Sequence, residues 1–247
     1  MIRRSVRNML SGSKPAMRPV ELESPDLRMP MADAGCTGCG RCAEVCPERA
    51  ICAEGGWSVD LGRCIFCYDC MDSCPEGHIH PADAPDYALR REDLVVRAGE
   101  APPAGRSGGG PGAARALKGS VSIRVLDTGS CNACDVELAC MSNKYYDMER
   151  FGLKVTASPR HADVLLVTGP MTENMADAAL RTYRAMPEPK IVVAVGACAI
   201  SGGIFGEGSV AGSGIADTIP ADVFIPGCPP SPRRVMRSLL KVLGRDH

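Results

Sequence analysis

Fourteen cysteines among 247 residues are the chemistry-bearing feature of this chain. Eight of them form two copies of one pattern, C-x2-C-x2-C-x3-C-P: "CTGCGRCAEVCP" carries Cys36, Cys39, Cys42 and Cys46, and "CIFCYDCMDSCP" carries Cys64, Cys67, Cys70 and Cys74. Three closely spaced thiolates can wrap three corners of a cubane, while the fourth, turned away by the proline, reaches the neighbouring cubane. One [4Fe-4S] cluster is therefore expected on Cys36, Cys39, Cys42 and Cys74, and a second on Cys64, Cys67, Cys70 and Cys46. Zinc is the competing reading, but zinc sites use paired C-x2-C units set well apart rather than full quartets ending in proline. Cys52, in "AICAEGG", stands outside both quartets and is expected to be a small buried hydrophobe.

A second cysteine stretch, "CNACDVELAC", places Cys131 and Cys134 at metal-ligand spacing and adds Cys140. A cluster wants four ligands, so the remainder must come from elsewhere. The elements around it supply candidates. "VSIRVLDTGSC" alternates as a strand and ends in a glycine turn before Cys131; "ADVLLVTGP", "KIVVAVGACA" and "ADVFIPGCPP" are further apolar strands, the last two leading into Cys198 and Cys228. Helical periods fall between and after them, in "MTENMADAALRTYRAMPEP", with Thr172 at its start and Pro187 at its stop, and in "SPRRVMRSLLKVLG". Strands alternating with helices make a parallel sheet covered on both faces, whose carboxyl-end loops gather along one edge. Cys131, Cys134, Cys198 and Cys228 thus form a third expected set, on three loops, each near a glycine that lets backbone approach closely. The competing expectation makes Cys198 and Cys228 core cysteines. Cys140 falls on the helix beyond the loop and is expected to pack.

Composition agrees with a thiolate-rich metalloprotein. A net charge of −1 gives no sign of a nucleic-acid partner, and no apolar run approaches the roughly eighteen residues of a membrane span. The paired arginines of "MIRRSVRNML" are not followed by an apolar stretch, so no export signal is read. Ile2, Val6, Met9 and Leu10 share a helical face ringed by Arg3, Arg4 and Arg7, which suits docking, though a frayed basic tail is equally compatible. Four segments result: a basic docking segment (1–30), a two-cluster unit (31–97), a flexible Gly/Pro/Ala linker (98–118) and the third-cluster unit (119–247). The linker glycines lack the Gly-Lys-Ser/Thr of a phosphate loop. His78 and His80, two apart, and the lone His161 are assigned no metal.

The combination "CNACDVE", "YYDMERFG", "SPRHADVLLVTGPMT", "MPEPKIVVAVGACAISGGIF" and "VFIPGCPPSP" resembles the small electron-transferring subunit shared by membrane-bound [NiFe] hydrogenases and complex I, across nearly all of 119–247. The resemblance implies an α/β, flavodoxin-like parallel sheet with helices on both faces. It also implies that Cys131, Cys134, Cys198 and Cys228 hold the cluster closest to the active site of a large subunit. Residues 1–97 are similar to the separate two-cluster, bacterial-ferredoxin-like subunit of the same complexes, here fused in front. Complex I subunits carry adjacent cysteines at the first ligand position, whereas "CNAC" matches formate-hydrogenlyase-type, energy-converting hydrogenases.

That family implies a chain without catalytic residues of its own, relaying electrons through three [4Fe-4S] clusters. The implied donor is a formate dehydrogenase or a ferredoxin, and the implied partners are a [NiFe] hydrogenase-like large subunit and membrane-arm subunits. The complex would lie in the cytoplasm, peripheral on the inner face of the cell membrane. A complex I-like quinone oxidoreductase or a nickel-free relative is the alternative, and a structural zinc protein a second one. Glu137, three residues after Cys134, resembles an acid of the family that could carry protons; a solvent-facing first-turn helix acid is the plainer reading. After "GCPP" the family commonly continues Arg-Pro-Glu, but this chain has "SPRR", a departure expected to alter docking through Ser231, Arg233 and Arg234.

Overall fold

A computed structural model describes residues 26–100, 110–117, 119–206, 208 and 210–245. The basic amino-terminal face and the centre of the linker, 101–109, lie outside these residues.

Five short apolar segments pair in parallel: β6 (Val121–Asp127), β7 (Leu153–Val155), β8 (Val164–Thr168), β9 (Ile191–Val195) and β10 (Val223–Ile225), in the order β10-β9-β8-β6-β7. Counted from β6, this is the 2-1-3-4-5 order of the flavodoxin-like sheet, with its switch point between β6 and β8. β8 and β9 are buried at every position, as strands covered on both faces must be. Side chains alternate between two cores. Val164, Leu166, Ile191, Val193, Val223 and Ile225 meet Leu138 of α3 (Ala133–Cys140) and the apolar stripe of α6 (Pro232–Val242). Leu165, Val167, Val192, Ala194 and Phe224 face α4 (Glu173–Ala185), through Ala179, and Ile200 of α5 (Gly196–Ser201). The short edge strand β7, in "FGLKVTAS", carries too few apolar residues for alternation alone to reveal it.

The amino-terminal unit is built on two small antiparallel sheets. β1 (Arg28–Ala32) pairs with β4 (Ile79–Asp83), and β2 (Ile51–Cys52), β3 (Ser58–Asp60) and β5 (Val95–Arg97) form the second. β1 straddles the boundary drawn at residue 31. The helices α1 (Arg41–Glu44) and α2 (Asp69–Asp72) follow the second cysteine of each quartet. The apolar residues of this unit, Met29, Trp57, Val59, Leu61, Leu94 and Val96, are continuous with the α4 face of the large sheet. One core therefore crosses from unit to unit.

Two expectations are corrected here. The described part of the linker is not loose: Gly112–Ala116 forms a 3-10 turn whose Ala114 is buried with α6. Arg234, expected to serve docking, is fully buried inside the chain, where its guanidinium reaches Asp26, Asp86 and the Pro85 carbonyl. Ser231 also has an internal task, accepting the Arg234 amide at 3.1 Å as the N-cap of α6.

Leu166, on the central strand, has no exposed surface. Leu166→Ala leaves a cavity that the surrounding sheet cannot close, and is expected to cost about 2–5 kcal/mol in denaturant unfolding of the anaerobic protein.

Candidate metal centres

One local device recurs at all three cysteine motifs. Directly after Cys39, Cys67 and Cys131 the chain turns left-handed, at Gly40 (φ 82°), Tyr68 (φ 69°) and Asn132 (φ 68°). Each of these residues caps a helix, and each helix carries the next cysteine, Cys42, Cys70 or Cys134, as its second residue. The left-handed residue thus places the first cysteine of each C-x2-C pair before the helix and the second inside its first turn. Gly and Asn accept this conformation readily; Tyr68 is held in it by a hydrogen bond from its hydroxyl to the Arg28 carbonyl at 2.8 Å.

At the carboxyl edge of the large sheet, Cys131 and Cys134 follow β6, Cys198 follows β9 and Cys228 follows β10. Cys198 sits on α5 rather than on a loop, because the helix starts immediately after the strand. Cys134 and Cys198 are buried, Cys228 is half-buried and Cys131 is exposed. The four interact: burial raises the Cys134 thiol well above its usual range, and Cys198, Cys228 and Cys131 raise it further. Burial likewise pushes Cys198 to about 11, with Cys228 and Cys131 adding to the effect and the Ile204 amide opposing it. Two glycines permit the close packing. A Cβ on Gly196 would lie 2.7 Å from the Cys134 sulfur, and one on Gly203 would lie 2.9 Å from that of Cys198.

The quartets form a pair of groups at the other end. Cys64 is raised to about 12 by burial, and then by Cys70, Cys46 and Cys67; Cys70 is raised to about 12 by burial, and then by Cys67, Cys46 and Cys42. Cys46 thus lies within electrostatic range of Cys64, Cys67 and Cys70 of the second quartet, and Cys42 within range of Cys70. Cys42 feels Cys36 after its own burial. Amides point at three of the eight sulfurs, from Ala50 to Cys46 at 3.3 Å, from Phe66 to Cys64 at 3.4 Å and from His78 to Cys74 at 3.3 Å.

These residues fit iron-sulfur clusters. The thiols are unbridged and soft, and at Cys64, Cys70, Cys134 and Cys198 burial opposes deprotonation until a cationic centre reverses the sign. The amide-to-sulfur bonds are those that stabilise cluster-bound thiolate. Among the described residues no three Cys, His, Asp or Glu side chains close on a single ion; a cubane takes its thiolates from a wider frame.

Other expectations divide. Cys52 is exposed, since β2 turns its outward face to solvent there, so it is no buried hydrophobe. Cys140 is half-exposed and joins neither core. Glu137 is half-exposed on α3, within electrostatic range of the Tyr146 hydroxyl. His78 and His80 both pair with Asp33, at 2.9 Å and 3.1 Å. Sequence reasoning missed the support of the third site. The Asp135 carboxylate accepts from Ser130 at 2.6 Å and from the buried Thr168 hydroxyl at 3.0 Å, tying α3 to the end of β8. Asp127 accepts the Gly129 and Ser130 amides at 2.9 Å and 2.7 Å, closing the turn before Cys131. The acid next to Cys134 was the available signal.

Asn132 tests the left-handed device. Asn132→Gly is expected to leave stability and iron content near their original values, whereas Asn132→Val should cost about 1–2 kcal/mol and speed iron loss from the third site, read by denaturant unfolding and iron release to a chelator.

Comparison with known proteins adds an independent line. The family described as NADH ubiquinone oxidoreductase, 20 Kd subunit, matches residues 131–242. The chain is 53% identical over 126 residues to uncharacterized protein MJ0516 of Methanocaldococcus jannaschii, covering 51% of this chain and 84% of that protein. It is 44% identical over 118 residues to the probable membrane-bound hydrogenase subunit mbhJ of Pyrococcus furiosus, covering 48% and 71%. It is 43% identical over 128 residues to formate hydrogenlyase subunit 7 of Escherichia coli, covering 52% of this chain but only half the length of that protein. The matched region takes in Cys131, Cys134, Cys198 and Cys228 and four of the five parallel strands, and on that ground the chain belongs to the complex I 20 kDa-type family of iron-sulfur-binding subunits.

Proposed function

We propose that this chain is the iron-sulfur electron-transfer subunit of a membrane-associated, multisubunit [NiFe] hydrogenase-type complex, bearing three [4Fe-4S] clusters. The ligand sets are Cys36, Cys39, Cys42 and Cys74; Cys64, Cys67, Cys70 and Cys46; and Cys131, Cys134, Cys198 and Cys228. Bound clusters would supply one-electron chemistry, and the chain's part is to hold them in sequence and in low dielectric.

The observation that carries the reading is the adjacency of the three sets. Cys42 of the first set lies within electrostatic range of Cys70 of the second. Glu48, two residues past Cys46 of the second set, lies within range of both Cys198 and Cys228. The helix that carries Cys198 is fastened to the second set's approach by a 2.7 Å hydrogen bond from Ser201 to the Gly62 carbonyl. A cleft of about 610 Å³, lined by Glu48, Arg49, Arg63, Ser201 and Gly203, lies along the same seam. The order is therefore first set, second set, third set, with electrons from a formate dehydrogenase or ferredoxin passing toward a large-subunit active site. Exposed Cys131, with Val136, Ile204 and Phe205 exposed on the helices and loop around the third set, leaves that end open to such a partner.

Among the described residues no helix is long and apolar enough to cross a membrane, so attachment to the inner face of the cell membrane would run through membrane-arm subunits. The "CNAC" spacing favours the hydrogenase branch. The family description itself, a ubiquinone oxidoreductase subunit, keeps a complex I-like or nickel-free complex as the second reading. Anaerobic co-purification separates the two: a large subunit with cysteine pairs near both termini supports hydrogenase, and a large subunit without them supports the second reading.

Cys228→Ser is expected to remove one spectroscopically distinct cluster and all electron delivery to the partner, lowering iron from about twelve to about eight per chain while the amino-terminal pair still assembles. Full iron content and unchanged spectra in that variant would contradict the third ligand set.

A further inference from the structure

Cys228 is followed by Pro229, Pro230 and Ser231, the N-cap of α6, so the helix is anchored directly to a thiol of the third set. Its polar side carries Arg234, Arg237 and Lys241, at spacings of three and four that set them on one helix face. Two of these cations are buried, with side chains 1% and 7% exposed, and a buried charge is tolerated only when paired. Their acidic partners, Asp26 and Asp86, stand on the amino-terminal side of the junction. Asp86, 11% exposed, accepts from Arg237 Nε at 2.8 Å and from a second guanidinium nitrogen, and from Lys241 Nζ at 2.9 Å. Its own backbone carbonyl accepts the Ser238 hydroxyl at 3.0 Å. Arg234 adds Asp26 at 3.3 Å and donates to the Pro85 carbonyl at 2.5 Å. Beside this cluster Ala88 and Phe224 exchange two backbone hydrogen bonds of 2.9 Å, adding the 84–90 segment to the open edge of β10.

Two features connect this junction to the ligand sets. Cys228, of the third set, leads into α6. Arg234 lies within electrostatic range of Tyr68, the left-handed residue between Cys67 and Cys70 of the second set. Through β1 the link is geometric, since Arg234 donates to the Leu27 carbonyl at 3.5 Å and the next carbonyl, of Arg28, accepts the Tyr68 hydroxyl at 2.8 Å. Ion pairs of this kind specify orientation, since any sliding of one unit on the other strands buried charge.

We propose that Asp86 is a positioning residue for electron relay: by clamping Arg237 and Lys241 of α6 it fixes the separation of the second and third ligand sets. The proposal rests on the relay reading above. Within the "SPRR" departure, Arg234 serves the same junction through Asp26 and Asp86.

The test uses the full chain, purified anaerobically, with Asp86→Asn, Asp86→Glu and Lys241→Met. Iron and sulfide content, hydrogen exchange of the α6 and 84–90 amides, magnetic dipolar coupling between the reduced second and third clusters, and the rate of electron passage between them are measured. Asp86→Asn is expected to keep its metal, to lose exchange protection at the junction, to broaden the dipolar distance distribution and to slow passage by about tenfold, as misplacement of reacting partners does. Asp86→Glu, which keeps the charge, is expected to restore both coupling and rate. Wild-type coupling and rate in Asp86→Asn would overturn the proposal. Should Asp86→Asn fail to fold, Lys241→Met decides: a broadened distribution supports the clamp and an unchanged one overturns it. Absence of electron passage in the unmodified chain would instead overturn the relay reading itself.

Discussion

Sulfur crowding is the constraint on which the rest of the structure depends. Each group of cysteines has buried members, and burial, reinforced by neighbouring sulfurs, pushes Cys64 and Cys70 to about 12 and Cys198 to about 11. Such thiols pack as neutral groups in the protein alone, and a cationic centre would draw them into the thiolate form by ligation. The fold serves that end in two ways. The parallel sheet delivers thiols from three strand ends to one edge, and the left-handed residue after Cys39, Cys67 and Cys131 starts the short helix that carries the next cysteine.

The same logic joins the two units. A core that runs from Met29 and Trp57 to Leu165 and Phe224 supplies adhesion, but apolar contact is not directional. Direction comes from the buried charges. Arg234 and Arg237 are paired across the junction with Asp26 and Asp86, and sliding one unit on the other would strand those buried charges. Asp86 is held ionised in spite of its burial because Arg237 and Lys241 outweigh the loss of solvent, and its carboxyl lies below the usual range. Its contribution is therefore present above the unfolded carboxylate pKa and is lost only as the pH falls through the lower, folded value.

Much of this was legible in the residues. The two quartets stand out by repetition and by Pro47 and Pro75, and the strand-helix alternation of 119–247 leads to the parallel sheet and to the carboxyl edge at which Cys131, Cys134, Cys198 and Cys228 follow their strands. What escaped the sequence reading depends on contacts distant along the chain. Arg234 reads as a surface cation until the fold brings Asp26 and Asp86 to it, across more than a hundred residues. Thr168 reads as a strand residue until Asp135 turns back to it, and β7 is too short to show a period. Cys52 reads as buried by type, yet its two-residue strand leaves it on the outer face.

The central claim is that three cubanes occupy this chain in order. The most direct measurement is iron, zinc and acid-labile sulfide content of the anaerobically purified full chain, together with a reductive titration followed by electron paramagnetic resonance. The account predicts about twelve irons and twelve sulfides per chain and three resolvable [4Fe-4S] signals, with magnetic interaction between neighbours. Zinc with little iron or sulfide would contradict it.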